Sequence, residues 1–309
     1  MVAFLARKHA AAEQRAWCDG VLTSSWRLHD RALGELAEIV TQLDRAGVPC
    51  LALKGPVLAR RHYAPPFLLK PSGDLDLAVR AADLSAATQA LREAGYTPRT
   101  SLEAALRTEH HLVLGHERRY RLELHFRLNH GVLGVPVEEL FPAATPYQIP
   151  NGPSVLTPEP GDELFGLILH MVHDRFARLF HSYEVLRLWD AAPAETRRKV
   201  VERIERHRFA GVFRLCEIAL QSVWGRRLLD AADPLPRTWL QSRLTEDLYR
   251  EMAGTAGLGQ EQPLSKRLRG RFLELQVTDT PGDAARRLAS LFWVTASQLR
   301  HRNWRTGRF

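Results

Sequence analysis

The sequence predicts an α+β fold, in which a small mixed β-sheet is followed by an all-helical C-terminal domain. Three observations predict it: apolar runs alternate with amphipathic stretches in residues 48–130, prolines and glycines crowd residues 131–161, and helical periodicity dominates residues 162–309. We therefore divide the chain into N-terminal helices that pack on the core (1–47), an α/β domain (48–130), an irregular connector (131–161) and a helical domain (162–309).

The N-terminal part is predicted to alternate between helices and strands. Residues 4–17 and 29–45 have helical character, and residues 48–53 form an apolar run that fits a buried strand. Pro56 is well placed as the first residue of a short helix. A second strand is predicted at residues 75–79.

The next stretch completes the predicted sheet. An amphipathic helix at residues 82–94 precedes an extended piece that begins at Tyr96. Residues 110–114 and 120–128 are predicted to pair as a β-hairpin around Gly115. Further helices are predicted at residues 162–190, 194–206, 209–223, 235–253, 263–277 and 283–303.

The composition is that of an ordinary globular protein, with 45% apolar and 25% charged residues. The net charge of +8 favours a polyanionic partner, although a GC-rich genome is the simpler explanation of the abundant arginine and alanine. The three scattered cysteines indicate neither a disulfide framework nor a thiolate zinc site. With no basic-then-apolar N-terminal signal and no apolar run near the roughly 18 residues that span a bilayer, we expect a cytoplasmic protein without membrane contact.

Two aspartates in the second predicted strand are the first candidates for chemistry. Asp74 and Asp76 are one residue apart, so both lie on one face of the strand while Leu75 and Leu77 lie on the other. Two carboxylates on one face repel each other unless a cation lies between them. The pattern favours a divalent metal ion, although Asp-x-Asp alone also occurs on solvated edge strands.

The predicted strand at residues 120–128 supplies a third carboxylate. Glu123 shares its face with Arg121, His125 and Arg127, while the leucines and the phenylalanine face the other side. If this strand lies beside the aspartates, three carboxylates meet, which suits one or two Mg²⁺ or Mn²⁺ ions. A pair of such ions about 4 Å apart stabilises the attacking and leaving oxygens of a phosphoryl transfer.

Residues suited to phosphate binding precede the aspartates. Gly55 lies between a predicted strand and a predicted helix, where phosphate can approach the backbone and the helix N-terminus favours anions. Lys54 adds positive charge, and Arg60, Arg61 or Lys70 can add more. The anion-binding side and the metal-binding side of a nucleoside triphosphate site therefore both lie within residues 54–76.

Three segments carry a family resemblance: LALKGPVLARRHY, PSGDLDLAV and LELHFRL. They resemble the bacterial group of nucleotidyltransferase family proteins, within the nucleotidyltransferase superfamily (DNA polymerase beta-like). The resemblance covers residues 48–130, which it implies are a nucleotidyltransferase-like domain. Beyond them, only His170, His173 and Asp190 match the group loosely.

The resemblance implies a reaction and a set of site residues. Members of the superfamily transfer a nucleoside monophosphate from an NTP to an acceptor and release pyrophosphate. By this resemblance Asp74, Asp76 and Glu123 are the catalytic residues that hold Mg²⁺ or Mn²⁺, and Lys54 and Gly55 hold the NTP, with ATP the expected donor. The acceptor stays open among small molecules, peptides, proteins and RNA, and so does the oligomeric state.

The first turn departs from the superfamily, which usually has Gly-Ser or Gly-Gly where this chain has Lys54-Gly55-Pro56. Ser72 and Gly73, directly before the first aspartate, are expected to substitute as phosphate contacts. The altered turn supports an alternative function, a catalytically inactive nucleotidyltransferase-fold protein with a binding or regulatory role of the accessory or toxin–antitoxin type. A second alternative, a nucleic-acid-binding helical protein, rests on the charge of +8.

Several histidines and arginines keep two interpretations. His125 either orients a carboxylate or contacts substrate, or it is a partly buried structural residue. For Arg121 and Arg127, solvent exposure or pairing with local acids is favoured over phosphate binding. The basic residues 300–305 fit a solvated helix end better than a nucleic-acid contact.

The histidines of the helical half also keep two interpretations. His170, His173 and Asp174 have the i, i+3 and i+4 spacing of possible ligands, but the helix that carries them is rich in apolar residues, which favours a core or interdomain role. His181 has no assigned role.

Overall fold

The computed structural model describes residues 7, 11–66, 73–129, 134–229, 245–254, 265, 269, 273, 275, 278–285, 288 and 289. Its helices and its seven-stranded mixed sheet confirm the α+β class. The chain divides into two compact units. The sheet unit consists of Met1–Arg127 and Pro136–Glu159, and the helical unit consists of Leu128–Val135 and Pro160–Phe309.

The sheet unit contains helices α1 to α4 and strands β1 to β7. In chain order these are α1 (Ala12–Arg45), β1 (Leu51–Ala52), α2 (Pro56–His62), β2 (Asp74–Ala78), α3 (Leu84–Glu93), β3 (Thr97–Pro98), α4 (Leu102–Thr108), β4 (His111–Gly115), β5 (Arg121–His125), β6 (Thr145–Gln148) and β7 (Ser154–Thr157). The strand order across the sheet is β3-β4-β5-β2-β1-β7-β6, which puts β2 at the centre.

The alternation of side chains in β2 and β5 builds the core of this unit. Leu75 and Leu77 of β2 and Leu122 and Leu124 of β5 are almost fully buried, in one cluster with apolar residues of α1 and α3. Burying each such side chain contributes about 1.5–3 kcal/mol. Since one face of both strands is buried in this way, their polar side chains all lie on the opposite face.

Helix α1 corrects the prediction of two separate N-terminal helices. It runs without interruption over 34 residues. The residues between the two predicted helices were not assigned to a helix, yet the glycine, threonine and serines among them each lower helix propensity by only about 1 kcal/mol or less. The C-terminal half, which is packed on the core through residues such as Leu36 and Leu43, stabilises the continuous helix.

The prediction of an irregular connector at residues 131–161 is wrong where the structure describes it. Strands β6 and β7 form an antiparallel hairpin, and β7 pairs in parallel with β1. Pro146 is tolerated because β6 is an edge strand, where a missing N–H leaves no hydrogen bond unmade. Asn151, with φ 55°, and Gly152 form the turn rather than a connector.

The helical unit contains helices α5 to α9. They are α5 (Pro160–His173), α6 (Leu179–Ala191), α7 (Ala194–His207), α8 (Ala210–Trp224) and α9 (Glu246–Gly254). Helix α5 packs against α6, α7 and α8, and Arg203 of α7 forms a bidentate ion pair with the buried Asp162 of α5, at 2.7 and 3.0 Å. The helices predicted at 194–206 and 209–223 are confirmed.

The single helix predicted at residues 162–190 is wrong, because α5 and α6 are separated by a turn. Arg175 and Phe176 adopt left-handed conformations there, with φ of 51° and 58°. Neither is a glycine, so the sequence carries no signal for the break. The helices predicted at 263–277 and 283–303 and the basic residues 300–305 lie largely or wholly outside the described residues. In the described parts of the chain, no helix has the length and apolar character needed to cross a membrane.

Glu35 links α1 to the sheet. Its Oε1 accepts hydrogen bonds from the Tyr96 hydroxyl at 2.8 Å and from the Tyr120 backbone N–H at 2.6 Å. We expect Glu35→Ala to lower the free energy of unfolding by about 2–4 kcal/mol, because two donors lose a charged acceptor. Glu38→Ala is the matched control, since Glu38 is an exposed partner of Arg119 and its loss should cost less than about 1 kcal/mol. Urea denaturation measures both, and equal effects would contradict the prediction.

Candidate functional site

The polar face of the central strands brings three carboxylates onto one side of the sheet. Strands β2 and β5 run parallel, with Asp76 opposite Glu123 and Asp74 opposite Arg121. Because side chains alternate along a strand, Asp74, Asp76 and Glu123 lie on the same face. The neighbouring positions predicted from the sequence are therefore found in the structure, while their role as ligands stays a prediction.

Asp76 lies deepest in this group. Its Oδ1 is 2.9 Å from His125 Nε2 and 3.1 Å from Lys54 Nζ, and the side chains of Asp76 and His125 are each only 6% exposed. The backbone N–H of Leu53 donates a hydrogen bond to the Asp76 carbonyl, which extends the pairing of β1 with β2. This pairing places the next residue, Lys54, beside the carboxylate.

His125 is held by Asp76 in a defined orientation. Its Nδ1 is buried and has no hydrogen-bond partner among the described residues. A buried N–H without an acceptor is costly, so we assign the proton of the neutral ring to Nε2, which donates it to Asp76. Of the two interpretations of His125, the geometry favours the one in which the ring orients a carboxylate.

Glu123 lies among groups of both signs. Its Oε1 is 3.1 Å from Arg121 Nη2, and its Oε2 is 3.8 Å from His125 Nε2 and 3.9 Å from His111 Nδ1. Burial raises the pKa of Glu123, and the negative charges of Asp76 and Asp74 raise it further. The three carboxylates Asp74, Asp76 and Glu123 share two cations, Lys54 and Arg121.

Asp74 lies at the more exposed end of the site. Its side chain is 27% exposed and forms an ion pair with Arg121, which is 43% exposed. Arg121 thus bridges Asp74 and Glu123, in agreement with the expected pairing of this arginine with local acids. Because an exposed ion pair is worth little, a stronger cation can displace the arginine.

Two further histidines, which the sequence reasoning missed, border the carboxylates. His111 lies opposite His125 in the β4–β5 pairing, and its Nδ1 is 2.9 Å from Nε2 of the buried His110. The ring centroids of His110 and His111 lie 5.4 and 5.0 Å from that of His125. The register of the hairpin was the signal that could have placed His111 at the site.

The donor set fits a divalent metal ion. Ligand atoms of Asp76, Glu123 and His125 lie within 4.8 Å of one another, as do those of His110, His111 and His125. Carboxylate oxygens suit Mg²⁺ and Mn²⁺, and an adjacent imidazole is also accepted by Mn²⁺. Burial raises the pKa of Glu123 first, and the neighbouring Asp76 and Asp74 add to it, since crowded carboxylates attract either a proton or a metal ion.

The predicted phosphate side is present in part. Burial lowers the pKa of the Lys54 amine, but Asp76, Glu123 and Asp74 outweigh burial and raise it, so the amine is fully charged. Gly55 has φ 71° and ψ −135°, a conformation that is essentially confined to glycine.

The other predicted phosphate contacts are less well defined. Gly73 directly precedes β2, with open space where a side chain would be. Ser72 and Lys70 lie outside the described residues. Helix α2, which was expected to attract anions at its N-terminus, has only seven residues, so its dipole is small.

In the helical unit the structure groups different residues from those that the spacing suggested. Ligand atoms of His170 and Asp174 lie close to that of His181, which the spacing did not include. The sequence could not show this, because His181 lies on another helix.

The comparisons with known proteins give one finding. The sequence profile of a protein family described as "Uncharacterised nucleotidyltransferase" matches residues 23–224, which is more than half of the chain and includes every predicted site residue. No curated protein matches the sequence.

Proposed function

The chain belongs to this family of uncharacterised nucleotidyltransferases, and on that premise we propose that it transfers a nucleoside monophosphate from an NTP to an acceptor. The reaction depends on a divalent metal ion and releases pyrophosphate. The observation that carries the proposal is the pairing of Asp76 with Glu123 at the centre of the sheet, with Asp74 on the same face and Lys54 at 3.1 Å from Asp76.

The carboxylates form the metal-binding side of the proposed site. Asp76, Glu123 and Asp74 would hold Mg²⁺ or Mn²⁺, which when bound neutralises phosphate oxygens and stabilises the in-line displacement. His125 keeps the Asp76 carboxylate in one orientation through its Nε2 hydrogen bond. Partners of this kind, which orient a ligand, commonly change metal affinity by about 10–100-fold when they are lost.

The cations form the phosphate side. The charged amine of Lys54 neutralises part of the triphosphate, and Gly55 permits close approach to the backbone. ATP is the donor that we expect, and a phosphate contact from Ser72 stays a prediction.

Glu123 is the proposed proton acceptor for the attacking hydroxyl. The less exposed aspartate, Asp76, is already engaged by two hydrogen-bond donors, Lys54 and His125, and is the poorer candidate for this role.

A second candidate function is a catalytically inactive protein that keeps the fold for binding or regulation. The specific observation that favours it is the pairing of every site carboxylate with a cation, Lys54 with Asp76 and Arg121 with Asp74 and Glu123. In such a protein these ion pairs would replace the metal.

Calorimetry with ATP, GTP, CTP and UTP separates the two functions. We expect at least one NTP to bind about tenfold more tightly with Mg²⁺ or Mn²⁺ than with a chelator, because the carboxylates repel a triphosphate that brings no metal. The corresponding nucleoside is the control and should show no metal dependence. Metal-independent binding of every nucleotide would contradict the proposed reaction and favour the inactive protein.

The acceptor can be identified in an experiment that offers the protein all candidate classes of acceptor together. The protein is incubated with cell extract, labelled NTP and Mg²⁺ or Mn²⁺, and mass spectrometry identifies any molecule that gains the mass of a nucleoside monophosphate. Small molecules, peptides, proteins and RNA are analysed as separate fractions. A labelled product that forms equally in extract without the protein would not support the proposal.

A further inference from the structure

Three polar side chains converge where α5 ends and α6 begins. Asp174 Oδ2 lies 3.7 Å from His170 Nε2 and 3.3 Å from His181 Nδ1. The two imidazole rings lie 4.7 Å apart, centroid to centroid, and are tilted by 52°. We propose that His170, Asp174 and His181 bind one divalent transition-metal ion, such as Zn²⁺, within the helical unit.

The separations fit ligands that share an ion. With metal–nitrogen and metal–oxygen distances of about 2.0–2.2 Å, two ligand atoms on one ion lie about 3.0–3.5 Å apart. The values of 3.3 and 3.7 Å are close to this range and longer than the usual hydrogen bond of about 2.9 Å. Small side-chain movements therefore complete the geometry.

The local backbone is built to bring the three residues together. His170 and Asp174 are one helical turn apart, and the Asp174 N–H donates to the His170 carbonyl at 2.9 Å, which continues the α5 hydrogen-bond pattern. The left-handed Arg175 and Phe176 then reverse the chain, so that His181 in the first turn of α6 meets α5. A left-handed conformation is costly for a non-glycine residue, and strain of this kind collects at ligand sites.

The chemistry of the ligands selects the ion. Two imidazole nitrogens and one carboxylate favour Zn²⁺, Co²⁺ or Ni²⁺ over Mg²⁺, which prefers oxygen. The side chains of His170, Asp174 and His181 are 28%, 27% and 13% exposed, so water can fill the remaining coordination positions. Asp174 also follows the C-terminal end of α5, where the partial negative charge of the helix disfavours a carboxylate and favours a cation.

This site does not depend on the proposed function, because all of its residues belong to the helical unit. The sheet unit holds other possible ligand groups, and His125 is common to both of them in the described part of the chain. The substitution His125→Gln removes this shared imidazole and leaves Asp74, Asp76 and Glu123 as oxygen ligands, which Co²⁺ prefers less than imidazole nitrogen. It therefore provides a background in which the tighter Co²⁺ site is the one in the helical unit.

The test titrates the chelator-treated full chain with Co²⁺, whose visible absorption reports nitrogen and oxygen ligands. In the His125→Gln background we expect one Co²⁺ to bind at micromolar concentration. Adding His181→Gln should weaken that binding at least about tenfold, which is the lower end of the loss seen even for partners outside the coordination sphere. His173→Gln is the matched control on α5 and should leave the titration unchanged. Isothermal calorimetry with Zn²⁺ repeats the comparison.

Circular dichroism checks the fold of each variant, and Asp174→Asn replaces His181→Gln if the latter is unfolded. Three results would overturn the proposal: no Co²⁺ binding below millimolar concentration in the His125→Gln background, equal affinity with and without His181→Gln, or an equal loss in His173→Gln. None of them bears on NTP turnover, so failure of this site and failure of the proposed function are distinguishable.

Discussion

Asp76→Asn is expected to reduce metal-dependent NTP turnover at least about 10³-fold. The carboxylate lies at the centre of the site, where Asp76 of β2 is opposite Glu123 of β5. Removing one preorganised electrostatic group from an active site commonly costs 10²–10³-fold in rate, and loss of a shared metal ligand should reach the upper end. Transfer of labelled nucleoside monophosphate and release of pyrophosphate in cell extract measure the effect.

The same substitution also has a structural effect, which must be measured separately. Lys54 and His125 both lose a charged partner, and a buried charge left unpaired destabilises a protein. We expect the free energy of unfolding to fall by about 1–3 kcal/mol while the fold is retained. Urea denaturation and circular dichroism, run at the assay temperature, show whether the lost turnover is due to unfolding.

Asp83→Asn is the matched control for this prediction. Asp83 belongs to the same unit and pairs with Arg80 at 3.5 Å, but it lies outside the carboxylate group. We expect wild-type turnover from this variant. If folded Asp76→Asn protein turned over NTP as fast as Asp83→Asn, the proposed metal site would be wrong.

The site was predictable because it depends on the alternation of side chains along two strands. DLDLA and RLELH each place their leucines on one face and their charges on the other, which is a local property of the sequence. The parallel pairing of β2 with β5 is not local. Resemblance to a family, rather than periodicity, indicated that these two strands are neighbours.

The elements that were missed depend on contacts between distant segments. Pro146 and Gly152 indicated a loop, whereas the edge position of β6 and the turn after it accommodate both residues. His111 joins the carboxylates only through its pairing with β5, and His181 joins His170 only because two left-handed residues reverse the chain. The predicted hairpin register could have placed His111, whereas a single sequence contains no direct signal for the contacts of Pro146, Gly152 or His181.

Lys54→Met is expected to change metal affinity and turnover in opposite directions. The ammonium of Lys54 lies 3.1 Å from Asp76 Oδ1, and three carboxylates hold its pKa above the ordinary value despite its burial. Its removal leaves more negative charge at the site. Two unit charges about 4 Å apart interact by about 1–4 kcal/mol near a protein surface, so Mn²⁺ should bind at least about fivefold more tightly in the absence of nucleotide.

Turnover of the same variant should fall by about 10²-fold, because the triphosphate loses the cation that neutralises it. Manganese EPR titration gives the metal affinity, and the labelled-transfer assay gives the rate. Lys54→Arg keeps the charge and should leave metal affinity within about twofold of wild type, whereas its different shape should still slow transfer. Lys199→Met, which removes an exposed lysine paired with Glu195, should change neither quantity.

An increase in Mn²⁺ affinity together with a decrease in turnover distinguishes a catalytic role of Lys54 from a purely structural one. In an inactive protein whose ion pairs replace the metal, Lys54 only neutralises Asp76 and holds the strands together. Its loss would then destabilise the sheet unit, and there would be no NTP turnover to fall. In the proposed enzyme the lysine repels the metal ion and attracts the nucleotide. When NTP is absent, its removal affects only the repulsion, and the metal ion therefore binds more tightly. A Lys54→Met protein that binds Mn²⁺ more weakly than wild type would therefore contradict the role proposed for this residue.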